Sequence, residues 1–253
     1  MQAASDAPLP AAGAVLLTRP RRQSEAFAAR LAQRGIDACV FPTLEIDGPA
    51  DPAAFSAAVD ATECYDTVVF ISPTAVERGL PALRARDAHW PGAGTRVAAV
   101  GPGTRNALRA QGLDAVLAPI DGSGAAALLA LPALLEPPPR SVLIVEGEHG
   151  RDELADGLAA LGARVVRAGA YRRRRPDADA GALLARWRAG GISAVVVASV
   201  ETLDNLIALL GATGLPWLRA TPLYTHHARI AEAARARGIG HVVEAGPDED
   251  ALL

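Results

Sequence analysis

Two serines, two arginines and one glycine-rich turn carry most of the polar chemistry that this sequence can place by itself. "ISPT" (71–74) and "ASVE" (198–201) each close an apolar run and put Ser72 and Ser199 at the C-terminal ends of expected strands. Each serine reads as a helix N-cap or as a hydroxyl facing a ligand. The two roles are compatible, because free N–H groups at a helix start also bind carboxylates. "LLTRP" (16–20) ends the first apolar run with Arg19, and "VEGEHGRDEL" (145–154) passes Gly147 and Gly150 before Arg151. A guanidinium there can clamp a carboxylate with two parallel N–H bonds, or pair with a nearby acid on a solvated face. For Arg151 those acids are Glu148 and Asp152.

"VGPGT" (100–104) follows one apolar run and opens a helical pattern. Its glycines permit a tight turn, with Gly101 leading into the helix. Three readings stand: a plain turn capped by Thr104, a cradle for an oxyanion or carboxylate, and the start of a dinucleotide fingerprint. The last is the weakest, because Asn106 stands where that fingerprint needs glycine and the motif lies far from the first strand. A fourth feature is "AYRRRRPDAD" (170–179), four arginines between Tyr171 and a proline. By itself the run fits a nucleic-acid patch, a solvated linker or the edge of a site for a polyanionic small molecule.

Several chemistries are disfavoured. All 25 basic residues are arginine, so no lysine imine can form. The five histidines (His89, His149, His226, His227 and His241) show no metal-ligand spacing, and no nucleophile elbow is present. A net charge of −3 argues against non-specific nucleic-acid binding. Cys39 and Cys64 read as reduced thiols of a cytoplasmic protein, and no apolar run is long enough to span a bilayer. "MQAASDAPLPAAG" lacks the pattern of a signal peptide and reads as a frayed extension.

These groups need elements to hold them. Short apolar runs without polar alternation recur at 14–18, 37–42, 67–72, 96–101, 114–119, 141–147, 163–171, 194–199, 221–225 and 241–246, with helical patterns between most of them. Strands of that kind are buried on both faces, which predicts an α/β fold built on parallel sheets covered by helices. The chain also matches itself. Ser72 in "VVFISPTAVERGL" falls on Ser199 in "VVVASVETLDNLI", and Gly35 falls on Gly162, both at an offset of 127 residues. Gly112 falls on Gly238 at an offset of 126. This predicts a duplicated α/β unit forming two similar lobes with a cleft between them, a usual place for a ligand. General similarity among βα units is the competing explanation. "EPPPRS" (136–141) marks a boundary in the chain between the halves.

In order and spacing, "LLTRP", "FPTLEI", "FISPTAVE", "VGPGT", "VEGEHGRDELADGL", "AYRRRRP" and "VVVASVETLDNL" together resemble the uroporphyrinogen-III synthase family, from about Val15 to Leu253. The resemblance implies two parallel-sheet lobes joined by two extended segments, crossing near 40–44 and 169–174. Lobe one is then 1–42 with 173–253, and lobe two is 43–172. It implies a cofactor-free lyase that cyclises hydroxymethylbilane, a linear tetrapyrrole with eight carboxylates, with inversion of the last pyrrole ring and loss of water. Tyr171 is placed as the catalytic residue, a general acid for the departing hydroxyl, or else as a hinge residue packed between the lobes. The implied substrate-binding set is Arg19, Ser72, Gly101, Thr104, Gly147, Arg151, Ser199, His227 and Arg229. No metal, nucleic-acid or membrane partner is implied, and a monomer is expected. Two departures stand out. The family pattern has Arg-Gly where this chain has Glu146-Gly147, and a late glycine-threonine turn is replaced by "THHARI" (225–230), where His227 and Arg229 take over anion binding. Both leave room for an alternative, a non-catalytic binding module for a polycarboxylate; a nicotinamide-dependent enzyme is a third reading. Along an extended crossing, Tyr171 and Arg173 share one face and Arg172 and Arg174 the other.

Overall fold

A computed structural model of the protein describes residues 9, 13–120 and 122–246. Most of the stretch expected to fray, Met1 to Gly13, lies outside them, as do the last residues of the family resemblance. Along the described chain run β1 (Ala14–Leu17), α1 (Arg21–Ala32), β2 (Ala38–Val40), β3 (Glu45–Asp47), α2 (Pro52–Asp60), β4 (Thr67–Phe70), α3 (Pro73–Arg86), β5 (Arg96–Ala99), α4 (Pro102–Arg109) and β6 (Val116–Leu117). There follow α5 (Ala125–Leu129), α6 (Pro132–Leu135), β7 (Ser141–Gly147), α7 (Glu153–Ala160), β8 (Arg164–Arg174), α8 (Gly181–Arg188), β9 (Ile192–Val196), α9 (Val200–Ala220), β10 (Leu223–Thr225), α10 (Ala228–Ala236) and β11 (Val242–Glu244). The short β3 has no counterpart among the runs read as strands, because three residues carry too little pattern.

The chain divides into two compact units, with the divisions falling after Glu45 and after Arg173. The first holds a sheet in the order β11-β10-β9-β1-β2, and the second a sheet in the order β3-β8-β7-β4-β5-β6. The pairings β1–β2, β1–β9, β9–β10 and β10–β11 are parallel, as are β7–β8, β4–β7, β4–β5 and β5–β6.

Both faces of each sheet are buried, which is why the strands read as unbroken apolar runs. In β1, Ala14 and Leu16 enter one cluster while Val15 and Leu17 enter another. In β4, Val68 and Phe70 pack on one face and Val69 on the other. Phe70 is fully buried and meets Trp90 edge-on, with ring centroids 6.2 Å apart. The same strand order appears when the second unit is shifted by the 127-residue offset. β8, β7, β4, β5 and β6 then fall in turn on β2 with β3, β1, β9, β10 and β11. Gly35 and Gly162, matched by that offset, both take positive φ (73° and 87°) where a helix turns back toward the next strand.

The arginine run lies on and just after β8. Tyr171 is buried, whereas Arg172 to Arg175 are exposed. Arg172 pairs with Asp47 at 3.5 Å, and Arg174 pairs with Glu45. Alternate residues thus reach acids on the neighbouring edge strand β3, as extended geometry demands. Truncating Phe70 to Ala is expected to lower stability by about 3–5 kcal/mol, read as a fall in the urea midpoint, because a filled core position becomes a cavity.

Candidate active site

In each unit the strand order reverses at one place. Strands leave β4 toward β5 and β6, but leave β7 toward β8, so the reversal in the second unit lies between β4 and β7. In the first unit it lies between β1 and β9. Open parallel sheets offer a ligand crevice at the C-terminal ends of the strands flanking such a reversal. Ser72 follows β4, Gly147 ends β7 and Arg151 follows it; Arg19 follows β1 and Ser199 lies beyond β9. These five candidates therefore border the reversal of their own unit, whereas Gly101 and Thr104 follow β5, and His227 and Arg229 follow β10.

Ser72 is the N-cap of α3 and its Oγ accepts the amide of Ala75 at 2.9 Å. The same oxygen lies 3.0 Å from the Tyr171 hydroxyl, in a hydrogen bond that either group can donate. Tyr171 itself is 5% exposed and its ring belongs to the core cluster around Phe70. A phenol anchored by its ring and presenting its hydroxyl to a polar partner is a common use of buried tyrosine. Gly147 is needed for that placement. A Cβ there would stand 2.7 Å from Tyr171 Cζ and 2.8 Å from Cε2. The reading of Gly147 as a residue against substrate thus gains a second role, as the floor on which the tyrosine ring rests.

Beside this group is a cavity of about 150 Å³, lined by Ile71, Val100, Ile144 and Leu154 and by three charged residues, Glu146, Arg151 and Glu153. That is about the volume of five waters. Arg151 is exposed, and among the described residues it has no ion pair or side-chain hydrogen bond. The suggested pairing with Glu148 or Asp152 is not what forms. Asp152 pairs with Arg167, and Glu148 accepts the amide of Ala50. Glu146, which departs from the arginine of the family pattern, is 5% exposed and pairs with the Nε of Arg167. Arg167 was not among the candidate residues. It sits mid-strand in an apolar run, and only the pairing of β7 with β8 brings it beside Glu146.

The turn at 100–104 differs from one reading. Gly101, not Thr104, occupies the N-cap of α4, and no side chain caps this helix. Pro102 explains it, since its fixed φ favours the first helical position and starts the helix there. Thr104 lies buried in the first turn. Gly101 has close company, for a Cβ would stand 2.9 Å from Ser123 Cβ.

In the first unit, Ser199 caps α9 and forms a reciprocal box with Thr202. Burial pushes the Arg19 guanidinium below its usual value. A threonine network supports these ends: Thr43 Oγ1 donates to the carbonyls of Thr18 (3.1 Å) and Thr202 (3.0 Å), and Thr18 Oγ1 to Val196 O (2.9 Å). His227 holds the N-cap position of α10 without a capping bond, and Arg229 is exposed in its first turn. The threonines escaped sequence reading because nothing in their spacing marks them.

These features define an α/β protein of two parallel-sheet units, whose serine caps, glycine turns and arginines stand at the strand ends suited to an anionic ligand. The sequence model of "Uroporphyrinogen-III synthase HemD" matches residues 25–253. The chain belongs to that family. It is 33% identical over 243 residues to the uroporphyrinogen-III synthase of Salmonella typhimurium, covering 94% of this chain and 98% of that one. With the Escherichia coli uroporphyrinogen-III synthase it shares 30% over 241 residues, with coverage of 94% and 98%. In fold it resembles a uroporphyrinogen III synthase mutant from Thermus thermophilus (TM-score 0.57, 20% identity, 91% and 92% of the two chains). It also resembles the synthetase from Helicobacter pylori (TM-score 0.56, 13% identity, 95% and 96%).

Gly147→Ala is expected to displace the Tyr171 ring and lower stability by about 1–3 kcal/mol, as overpacked sites do. Chemical denaturation measures the loss, and an unchanged midpoint would show that the ring has room to move.

Proposed function

We propose that this chain cyclises hydroxymethylbilane to the type III macrocycle, inverting the terminal pyrrole ring and releasing water, in the cytoplasm and without a cofactor. Membership of the family supports the reaction class. The observation that carries the residue assignment is the Tyr171–Ser72 hydrogen bond at the edge where the strand order reverses. The free cysteines and the bacterial relatives support the cytoplasmic setting. Among the described residues, no helix is long and apolar enough to cross a membrane.

The departing hydroxyl needs a proton, and Tyr171 supplies it as general acid. Ser72 makes this workable. Its oxygen already accepts the Ala75 amide, so its own proton is available to the phenol oxygen. With Ser72 as donor, the phenol proton is free to turn toward the substrate hydroxyl. The phenolate that remains is held by the serine and lies near the positive end of α3. Loss of water leaves an azafulvene, which the terminal pyrrole attacks through its substituted carbon to give a spiro intermediate. Bond migration and closure follow, and the proton released when the ring regains aromaticity returns to the phenolate. No net proton is consumed. Because uncatalysed closure gives the other isomer, holding the two reacting ends in place is the larger share of the task. We assign that holding to carboxylate binding by Arg151, Gly101, Thr104 and Gly147 in one unit, and by Arg19, Ser199, His227 and Arg229 in the other.

The alternative, a binding module without turnover, drew on the acid at Glu146. That charge is met by Arg167 within the same unit, so it does not argue against a polycarboxylate substrate. Freshly generated hydroxymethylbilane gives the decisive assay. The parent protein should yield type III product, and only type I product, as forms without enzyme, rejects the reading. Tyr171→Phe should lower kcat by about 10²-fold or more with the fold retained, the usual scale for a lost general acid. Unchanged turnover would remove Tyr171 from the chemistry.

A further inference from the structure

Arg167 spends its entire fork inside the second unit. Nε bonds Glu146, the last residue but one of β7; one terminal nitrogen bonds Asp152, at the N-cap position of α7; the other donates to the carbonyl of Gly150 at 2.8 Å. Asp152 makes no capping hydrogen bond to its own helix, so its carboxylate is committed to the arginine. Gly150 fits only because it lacks a side chain, since a Cβ there would run into the Glu146 carboxylate and stand 3.2 Å from the Arg167 guanidinium. His149 takes φ +58°, a conformation that costs a non-glycine residue and persists only where its surroundings hold it. Hydrogen bonding to Glu146, then to Asp152, raises the Arg167 guanidinium above its usual value, in keeping with a cation fully met by acids.

Arg151 lies between the two residues that Arg167 grips, and it lines the cavity that Glu146 also lines. It has no partner of its own among the described residues. A long flexible side chain with no hydrogen bond or ion pair costs entropy to immobilise on a ligand. Fixing the backbone on both sides removes part of that cost before the ligand arrives. We propose that Arg167 is a positioning residue: bridging Glu146, Gly150 and Asp152, it holds the 147–152 turn so that Arg151 meets a carboxylate arm of the bilane at the mouth of the cavity. Arg167 does not touch the substrate; it acts through Arg151. The acid at 146 is then part of the device, as the buried anchor of the fork. This inference rests on the proposed reaction only for the identity of the ligand.

The test compares Arg151→Met, Arg167→Met and the double variant in turnover of hydroxymethylbilane. Glu146→Gln/Arg167→Met serves as the control that removes the unpaired buried charge. We expect Arg167→Met to raise KM about tenfold with kcat within about threefold of the parent. The double variant with Arg151→Met should be no worse than Arg151→Met alone, because residues acting through one another do not add. Multiplying effects, an unchanged KM, or a loss confined to kcat would each overturn the proposal. Hydrogen exchange reads the same idea without activity. The amides of 148–152 should exchange at least tenfold faster in Arg167→Met, and in Glu146→Gln/Arg167→Met should the single variant fold poorly. Unchanged exchange refutes the clamp even if the parent makes no type III product, an outcome that would instead count against the proposed reaction.

Discussion

The strands of both sheets pair in parallel, and a parallel neighbour can be reached only by crossing back over the sheet. That constraint governs both units. Every crossover returns the chain to the same edge, so strand C-termini and the helix starts that follow them collect on one side of each sheet. Ser72, Gly101, Gly147 and Arg151 stand there in one unit, and Arg19, Ser199 and His227 in the other. Apart from Gly147 and Arg151, none of these residues is near another in sequence. Within each unit they share one end of the sheet because Val68, Phe70, Leu16 and their neighbours must be covered by helices.

On this edge the polar groups divide into those that hold and those left to act. Ser72 caps α3 and still reaches Tyr171; Ser199 caps α9 through its box with Thr202. Each nitrogen of Arg167 is engaged, by two acids and a carbonyl, while Arg151 beside it has no hydrogen bond or ion pair among the described residues. Two arginines sixteen residues apart in the chain thus take opposite parts, one satisfied and structural, the other open to an anion. The distinction follows from hydrogen-bond accounting, since three of the five N–H donors of Arg167 are already engaged and, among the described residues, none of those of Arg151 is.

The 127-residue self-match acquires physical content from the sheets. Five strands of one unit fall on strands of the other in the same order, and the matched serines cap the matched helices α3 and α9 with nearly the same backbone angles. The match lapses where chemistry is concerned: the N-cap matching Gly101 is His227, and Tyr171 falls on Leu44, which is buried.

Some of this was already determined by the sequence alone. Unbroken apolar runs require strands covered on both faces, so the α/β class and most strands were legible, as were the serines and arginines that close those runs. The family, too, was legible from the order of its motifs. The three-residue β3 was not, because periodicity needs length. The helix start at Pro102 displaced Thr104 from the cap, a difference of three residues that local pattern does not resolve. What only tertiary structure decided are the partnerships: Phe70 against Trp90, Tyr171 over Gly147 and onto Ser72, and Arg167 into Glu146, Gly150 and Asp152. Each joins residues far apart in the chain, and the Arg167 fork does so through the pairing of β7 with β8. A sequence states which side chain each position offers, but the register decides which acid each arginine meets, and so which arginine is left for the ligand.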